Sequence, residues 1–416
     1  MSDEALRQAA LAYHAMPRPG KIGTHVFKPA ESSRDLALAY SPGVAEPVLA
    51  IAADPEAAYE YTNKGNLIGI VTDGSAILGL GNLGALASKP VMEGKALLFK
   101  RFADLDCVDI EVNADTPESF IDTVARIADS FGGINIEDVG APQCFAIEEA
   151  LKARCKVPVF HDDQHGTAIC VVAGLLNALE IQGKRLSDVK IVCLGSGAAG
   201  TATLRLLRSM GVPVSNMTAV DRQGVIHSGR DNLPDYKAEF ANATPHRTLA
   251  DALRGADVFI GVSAAGLLDA ELLRSMAPRP VIFALANPEP EVRPSAARAI
   301  RDDVIVATGR SDFPNQVNNV LCFPFIFRGA LDVRAHAITG EMKIAAAHAI
   351  ADLTKENVPD EVIKAYPDVT GLTFGPEYIL PKPMDPRLRE VVASAVAKAA
   401  IASGVAGKAY PSHYSK

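Results

Sequence analysis

The sequence predicts an α/β protein of two domains, each built around a parallel sheet. In both halves of the chain, apolar strand-like runs alternate with segments of helical periodicity, which is typical of strand–helix–strand units. A chain of 416 residues is also too long to fold around one hydrophobic core. We expect an N-terminal arm over residues 1–30, a first domain over 31–165, a second domain over 166–384 and a C-terminal helix within 385–416 that packs back on the body.

Composition excludes several classes of protein. The chain is 48% hydrophobic and 22% charged, as in ordinary globular proteins, and its net charge of -8 offers no basic surface for nucleic acid. The longest apolar stretch, Ala168–Leu176, is far shorter than the roughly 20 residues of a membrane span. The acidic N-terminus does not look like a signal peptide. The six cysteines show no paired spacing, so we expect free thiols and a cytoplasmic protein.

The arm and the first domain are predicted from the order of their elements. The arm joins a short helix to the Pro/Gly-rich segment MPRPGKIGT and is too small to form a core, so we expect it to pack on the rest of the chain or on a second subunit. The first domain then begins with a strand and turn in LIGIVTDGSAILGL and a helix in VMEGKALLFKRFA. A strand in CVDIEVNA and a helix in PESFIDTVARIADSF follow. The last two elements are buried strands in INIEDVG and VPVFHDD, which both end in acids.

The second domain begins with a helix, GTAICVVAGLLNALE, that is apolar nearly all round and should be buried between the domains. A further strand–helix series follows it. Strands are predicted in VKIVCLG, NMTAVD, ADVFIGVS, PVIFALANP and DVIVATG, and a helix closed by Gly211 in AAGTATLRLLRSMG. The final helix, DPRLREVVASAVAKAAIA, should start from an Asp385 cap with Pro386 at its first position.

A glycine-rich fingerprint indicates that the second domain is a doubly wound Rossmann domain that binds a dinucleotide. The fingerprint follows a strand, opens a helix and has an acid, Asp221, about twenty residues further on. A Gly-rich turn in another doubly wound sheet is the alternative. Asp221 would accept a hydrogen bond from a ribose 2′-hydroxyl, which favours NAD, whereas Arg222 could pair with the 2′-phosphate of NADP. The fingerprint residues are Gly195, Ser196, Gly197, Ala198, Ala199 and Gly200.

Two acidic pairs precede this fingerprint and indicate a metal site. Glu137–Asp138 and Asp162–Asp163 each follow an apolar run, at the strand ends where α/β proteins bind ligands. Carboxylates near a core are costly unless a cation neutralises them, and oxygen ligands favour a hard divalent ion such as Mg2+ or Mn2+. Solvated surface acids or helix caps are the alternative.

Three other residue types could move protons or support the metal. Lys95 lies in an apolar helix-like setting, where it either extends to solvent or acts as a base with a lowered pKa. Tyr40 precedes a Pro/Gly turn and serves either packing or acid catalysis. His161 and His165 flank the second acidic pair, as ligands or as loop histidines that support it.

These pieces occur together in one family, and the chain resembles the malic enzymes, specifically the short bacterial form. The resemblance spans about residues 25–385 and implies oxidative decarboxylation of malate to pyruvate and CO2, with NAD or NADP and Mg2+ or Mn2+; decarboxylation of oxaloacetate is also expected. It further implies a homodimer or higher homo-oligomer. The matching stretches are YSPGVAEP, VTDGSAILGLGNLG, EGKALLFKRFAD, INIEDVGAPQCF, VPVFHDDQHGTA, GSGAAG, VIFALANPEPE and ATGRSDFPNQVNNVLCFPF.

The resemblance also implies roles for individual residues. Lys95 matches the general base, Tyr40 the general acid and Asp162 a carboxylate near the lysine. The matching metal ligands are Glu137, Asp138 and Asp163, and the residues that hold substrate and the nicotinamide end are Asn287, Asn318 and Asn319.

One departure concerns the second malate carboxylate. Larger eukaryotic relatives carry an arginine where this chain has Ala76, so Ser75, Lys95 and the asparagines are the candidates for holding that group. Some bacterial relatives continue into a phosphotransacetylase-like domain, so a chain that stops at Lys416 is either a natural short form or a truncated one.

Two rival functions remain open at this point. One is a hydroxy- or amino-acid dehydrogenase that does not decarboxylate its substrate, which a metal-independent reaction would favour. The other is a catalytically inactive NAD(P)-binding regulator, which cofactor binding without malate turnover would favour.

Overall fold

The computed structural model of the protein describes residues 3–367, 369 and 371–414. Within these residues two separate sheets are formed, one by the first part of the chain and one by the second. Both are built from parallel strands joined by helices, apart from one short antiparallel edge strand in the second sheet. The predicted α/β class, with a parallel sheet in each half, is confirmed.

The first sheet has the strand order β2-β1-β3-β4. Its central strands are buried because helices cover both faces, as is usual for parallel sheets. The strands are β1 (Leu67–Thr72), β2 (Asp106–Glu111), β3 (Gly133–Ile136) and β4 (Val159–His161). The helices up to this point are α1 (Asp3–Ala15), α2 (Ser33–Ala39), α3 (Ala45–Ala53), α4 (Ala58–Tyr61), α5 (Ala85–Leu98), α6 (Pro117–Ile127) and α7 (Gln143–Arg154).

The second sheet starts from its middle strand and extends to either side. Its strands are β5 (Ile191–Leu194), β6 (Met217–Asp221), β7 (Gly224–Val225), β8 (Val258–Gly261), β9 (Val281–Ala284) and β10 (Ile305–Thr308). The order is β10-β9-β8-β5-β6-β7, so the chain reverses direction across the sheet next to β5. Open α/β sheets bind ligands at such a reversal, beyond the carboxyl ends of the strands.

The helices of the second part surround this sheet and join it to the first. They are α8 (Asp162–Gln182), α9 (Ala198–Ser209), α10 (Asp235–Ala238), α11 (Leu249–Leu253), α12 (Ala270–Ser275), α13 (Pro294–Ile300), α14 (Phe323–Asp332), α15 (Gly340–Lys355), α16 (Asp360–Ala365) and α17 (Arg387–Ala402). The last of these packs against α14 and α15 through Leu388, Val392 and Val396, which are fully buried. It is assigned from Arg387, Pro386 already has helical dihedral angles, and the Asp385 carboxylate accepts from the Arg387 amide at 3.0 Å, as the predicted Asp385 cap requires.

Helix α8 is buried along nearly its whole length, as predicted, and packs against α9 and α15. It begins at Asp162 rather than at Gly166, because β4 is only three residues long. The second acidic pair therefore directly follows β4, as predicted, and also forms the first turn of a helix. The positive end of the helix dipole favours carboxylates at this position.

The N-terminal region is the most exposed part of the molecule. Before Ile68 no described side chain is buried, and many large apolar residues face outward, among them Leu11, Phe27 and Leu38. Lys21 attaches the region to α5, since its amide donates to Glu93 Oε2 at 3.0 Å and its Nζ to the Pro90 carbonyl at 2.6 Å. None of the described helices is both long enough and apolar enough to cross a membrane.

Candidate functional site

Three carboxylates converge at the carboxyl edge of the first sheet. Glu137 and Asp138 directly follow β3, and Asp163 lies in the first turn of α8, after the neighbouring strand β4. One oxygen from each of the three lies within 4.8 Å of the others. This is the set of metal ligands that the family resemblance implied, and the structure brings all three together.

The backbone around Asp138 explains how two consecutive acids face the same point. Neighbouring residues of a strand point to opposite faces, but Asp138 adopts a left-handed conformation with φ 54°, which turns the chain at this residue. Its amide donates to Asp163 Oδ2 at 2.8 Å, and Asn135 Nδ2 donates to Glu137 Oε2 at 2.9 Å. The carboxylates are thus fixed in place by the protein itself.

The electrostatics of the cluster call for a cation. Burial raises the pKa of Glu137 well above its ordinary value, and burial together with the charge of Asp163 raises the pKa of Asp138 to about 7. Asp138 Oδ2 is buried and has no hydrogen-bond partner among the described residues. A hard divalent cation would satisfy that oxygen and offset the repulsion, and an all-oxygen ligand set suits Mg2+ or Mn2+.

Lys95 lies beside this cluster, on α5. Its Nζ is 2.7 Å from Asp162 Oδ2 and 2.8 Å from Glu137 Oε1, and it sits 4.1 Å from the centre of the Phe323 ring. Burial lowers the pKa of Lys95, but the charges of Asp162 and Glu137 outweigh burial and raise the pKa overall. The lysine therefore faces the cluster instead of extending to solvent.

Asp162 connects this lysine to the second half of the chain. Asn319 Nδ2 donates to Asp162 Oδ2 at 3.0 Å, and the Thr167 hydroxyl donates to Asn319 Oδ1 at 3.0 Å. Gly166 makes the arrangement possible, because a Cβ at this position would lie 1.9 Å from Asp162 Oδ1. Asp162 is fully buried, so it acts as a fixed partner of Lys95.

The remaining predicted substrate residues lie in segments that follow strands of the two sheets: Ser75 after β1, Asn287 after β9 and Asn318 after β10. Ser75 Oγ accepts from the Gly140 amide at 2.8 Å, in a loop whose Ala76 amide donates to the Asp138 carbonyl at 2.9 Å. Asn287 is exposed and precedes a cis proline. The Asn318 side chain is used locally, since it accepts from the Val320 amide at 3.0 Å.

Tyr40 does not belong to this constellation within one chain. It is 76% exposed, in the open N-terminal region, and its hydroxyl makes no hydrogen bond with any described residue. The proposed acid and the proposed base are therefore not paired in the single chain.

The two histidines support the site and stand apart from the three converging carboxylates. His165 Nε2 bonds Glu148 Oε1 at 2.8 Å, and burial lowers the pKa of His165 to about 3, so the ring is neutral near pH 7. His161 is fully buried, with Nδ1 3.7 Å from Asp163 Oδ2. Neither imidazole belongs to the group of possible ligands that the described residues form.

The glycine-rich loop has the geometry of a phosphate cradle. It connects β5 to α9, with Gly197 as the residue that precedes the helix. A Cβ on Gly200 would lie 1.9 Å from the Gly195 carbonyl oxygen, so only glycine permits this close approach of helix to loop. The amino end of α9 thus presents free amides to an anion, as a dinucleotide pyrophosphate requires.

Asp221, the acid at the end of β6, already forms ion pairs within the protein. Asp221 pairs with Arg230, whose Nη1 and Nη2 are each 3.0 Å from a carboxylate oxygen, and with Lys237 Nζ at 2.7 Å. Arg222, by contrast, is exposed and makes no hydrogen bond or ion pair with the described residues.

Sequence reasoning missed three residues that shape the site, namely Asn135, Gly166 and Phe323. The role of Asn135 could have been anticipated from the sequence, because it lies two residues before Glu137 in a predicted strand and therefore on the same face. The roles of Gly166 and Phe323 could not have been anticipated, since they depend on contacts that sequence spacing does not show.

Comparison with known families and proteins gives a consistent result. Residues 19–119 match the family model "Malic enzyme, N-terminal domain", and residues 164–373 match "Malic enzyme, NAD binding domain". The chain is 62% identical over 411 residues to the NADP-dependent malic enzyme of Halomonas elongata, covering 99% of this chain and 97% of that protein. It is 54% identical to the NAD-dependent malic enzyme of Rhizobium meliloti, covering 96% of this chain but about half (52%) of that protein.

A solved structure agrees with these matches. The malic enzyme from Pyrococcus horikoshii Ot3 superposes with a TM-score of 0.89 at 44% identity, covering 97% of this chain and 92% of that one.

Proposed function

The chain belongs to the malic enzyme family, whose reaction is the oxidative decarboxylation of malate, and on that premise we propose how its residues carry out this reaction. The substrate is malate, the products are pyruvate and CO2, and the cofactors are Mg2+ or Mn2+ and NAD or NADP. The observation that supports this most directly is the position of Lys95 between Asp162 and Glu137, next to three converging carboxylates.

The metal is assigned to Glu137, Asp138 and Asp163. When bound, the ion would supply a Lewis acid for the malate 2-oxygen, and the nicotinamide would supply the acceptor for the hydride of C2. The protein's contribution is to hold three ligands in advance, through the left-handed turn at Asp138 and the Asn135 amide. The cluster is open to solvent at Asp163, whose side chain remains 35% exposed, and we assign the substrate to that side.

Lys95 accepts the proton of the malate hydroxyl at Nζ. In the free protein it is held protonated by two carboxylates. Once Glu137 is engaged as a ligand, Asp162 remains as the main partner, so the pKa of Lys95 falls and the amine becomes available as a base. Asn319 keeps Asp162 oriented for this purpose at 3.0 Å.

The general acid is Tyr40, and we assign it to the cleft of a second copy of the chain. Tyr40 is 76% exposed and lies in a region with no buried side chain, surrounded by other outward-facing apolar residues. A homodimer would cover this surface and would place the partner's Tyr40 beside Lys95, where it protonates C3 of the enolate left by CO2 loss. A homo-oligomer is therefore part of the proposal.

The second malate carboxylate is assigned to hydrogen-bond donors in place of an arginine. The Ala76 side chain has no hydrogen-bond donor and no charge, so Ser75, Asn287, Asn318 and Asn319 are the proposed binding residues, with Lys95 adding positive charge. Of these, Asn287 has the most freedom, because it is exposed and its side chain makes no hydrogen bond with the described part of the chain.

We also propose a reducing compartment, the cytoplasm. All six cysteines are free, and Cys144, Cys170, Cys193 and Cys322 are buried as thiols. Burial raises the pKa of Cys144 and Cys193 to about 12, so these side chains are inert packing groups that need no disulfide partner.

The test is an assay of reduced nicotinamide formation with malate, Mn2+ and each nicotinamide cofactor, with pyruvate measured in the same samples. Equal amounts of pyruvate and reduced cofactor, abolished by a chelator, are the expected result. Oxaloacetate as the product would favour the non-decarboxylating dehydrogenase, and cofactor binding without turnover would favour the inactive regulator.

A further inference from the structure

We propose that Glu291 is a positioning residue for the substrate, which acts by fixing the backbone directly before Asn287. The inference rests on the proposed function, because Asn287 is one of the residues assigned there to the second malate carboxylate. The mechanism described above makes no use of Glu291.

Glu291 is a buried acid without a cationic partner. Its side chain is completely buried, and it forms no ion pair with any Lys, Arg or His of the described residues. Burial raises the pKa of Glu291, and hydrogen bonds from the backbone amides of Ser263 and Ala286 oppose that shift. A buried carboxyl group is costly, so we infer that it is retained for the amides that it holds.

The Glu291 carboxylate joins the ends of two neighbouring strands. Strands β8 and β9 are parallel and in register as far as Gly261 with Ala284. Beyond that pair, Oε1 accepts from the Ser263 amide at 3.0 Å and Oε2 accepts from the Ala286 amide at 3.1 Å. Gly261 leaves the space for the carboxylate, because a Cβ there would lie 2.5 Å from Glu291 Cδ. Each oxygen of one side chain therefore holds a different strand end.

The strand end held by Oε2 carries Asn287 as its next residue. The Asn287 side chain lies against the end of β10, since a Cβ on Gly309 would be 3.4 Å from both its Nδ2 and its Oδ1. Its carbonyl oxygen faces the loop between β1 and α5, where a Cβ on Gly79 would be 3.7 Å away. Because the side chain makes no hydrogen bond with the described residues, its place depends on the backbone that Glu291 holds.

The coenzyme side of the same loop is fixed by other contacts. The Val262 amide donates to the Leu194 carbonyl at 2.9 Å, at the end of β5. The Val262 carbonyl oxygen lies against the phosphate loop, where a Cβ on Gly195 would be 2.7 Å away. These contacts do not involve Glu291. Loss of its hydrogen bonds should therefore affect Asn287 more than the coenzyme site.

Glu291→Gln tests this role. The amide keeps the size of the side chain, but its Nε2 is a donor and cannot accept from a backbone amide, so one of the two bonds is lost. Calorimetry would measure malate binding to the protein with Mn2+ and reduced coenzyme, a mixture in which malate is not oxidised. Malate should bind about tenfold more weakly, and reduced coenzyme should bind within about twofold of its normal affinity. In turnover, KM for malate should rise in the same proportion and kcat should change less.

Asp257→Asn is the matched control. Asp257 directly precedes β8, at the opposite end of the strand, and its carboxylate also holds a backbone amide, that of Lys190 at 2.9 Å. It also pairs with Lys184 Nζ at 2.7 Å. Asp257→Asn should lower the temperature of thermal unfolding, as Glu291→Gln does, but leave malate affinity unchanged. A merely structural role of Glu291 would make the two variants alike.

A double-mutant cycle shows whether Glu291 acts through Asn287. In protein that already carries Asn287→Ala, Glu291→Gln should cause little further loss of malate affinity. If Glu291→Gln does not fold, Glu291→Asp takes its place in the cycle, because the shorter side chain keeps the charge but cannot reach both amides. Equal losses in the two backgrounds, or normal malate affinity in the folded variant, would overturn the proposal.

The outcomes separate this inference from the proposed function. Unmodified protein that neither binds nor oxidises malate would contradict the proposed function and this inference with it. Normal binding and turnover of malate in both the unmodified protein and Glu291→Gln would overturn only the role of Glu291.

Discussion

Asp138 combines a left-handed backbone, a buried carboxylate oxygen without a partner and a pKa raised to about 7. All three features have a cost in the metal-free protein. They share one explanation if the residue is arranged for an ion and not for the stability of the free chain.

This arrangement predicts how stability depends on pH. The folded pKa of Asp138, about 7, lies above its ordinary value of 3.8, so the folded state favours the protonated acid. Its contribution to stability is complete below pH 3.8 and is lost as the pH rises through 7. Relative to Asp138→Asn, the metal-free protein should therefore lose on the order of 2 kcal/mol of unfolding free energy between pH 5 and pH 8.

Denaturant unfolding at the two pH values, with chelator and then with Mn2+, measures this difference. Mn2+ should stabilise the unmodified protein at the higher pH and have much less effect on Asp138→Asn. A difference between the two proteins that is the same at both pH values would show that Asp138 does not titrate as described.

At the scale of elements, α8 determines the site more than any other segment. Its first turn carries Asp162, Asp163 and His165, and its orientation is fixed at that end by the bond from His165 to Glu148 on α7. Glu148 is almost fully buried, and it also pairs with Lys152 at 2.9 Å. Helix α7 therefore supports the acids indirectly.

Glu148→Gln should destabilise the protein and weaken Mn2+ binding together. The amide retains the shape of the side chain but loses the charge that holds His165 and Lys152, at a cost of roughly 1–3 kcal/mol. Glu149→Gln is a suitable control, because the Glu149 carboxylate pairs with the same lysine, Lys152, but is 75% exposed. The measurements are thermal unfolding and metal titration; equal effects of both substitutions would contradict the role of Glu148.

The elements also show how far the sequence could be read. Strand–helix alternation predicted the parallel strands of both sheets, because buried parallel strands are short apolar runs with clear boundaries, but it missed the two-residue antiparallel strand β7. The start of α8 was missed since the polar run DDQHG does not look helical on its own. The metal cluster could be anticipated because its residues follow strands, whereas the contact of Lys95 with Phe323 joins residues too far apart in sequence to be predicted from spacing.

At the scale of the whole molecule, the exposed N-terminal region predicts a shared active site. Lys95→Ala and Tyr40→Phe should each be almost inactive alone. If the partner's Tyr40 serves each cleft, a mixed dimer of the two variants contains one cleft with both residues intact. Equal mixing with subunit exchange should then restore about a quarter of the normal activity, because half of the dimers are mixed.

Activity of the mixture, measured after unfolding and refolding the two variants together, checks this prediction. Each variant refolded alone is the control. No recovery above those controls, with mixed dimers demonstrated by size and tag, would place Tyr40 in the cleft of its own chain and remove the argument for a shared site.

The course of α8 also bears on how the cleft can open. The helix starts at the acids of the first sheet and ends just before β5, and on the way it packs along α9, which begins at the phosphate loop. A large separation of the two sheets would break the buried contacts of α8 with α9 and α15. We therefore expect access to the cleft to depend more on movements of exposed segments, such as the turn that carries Leu78 and Leu80, than on a change in the position of α8.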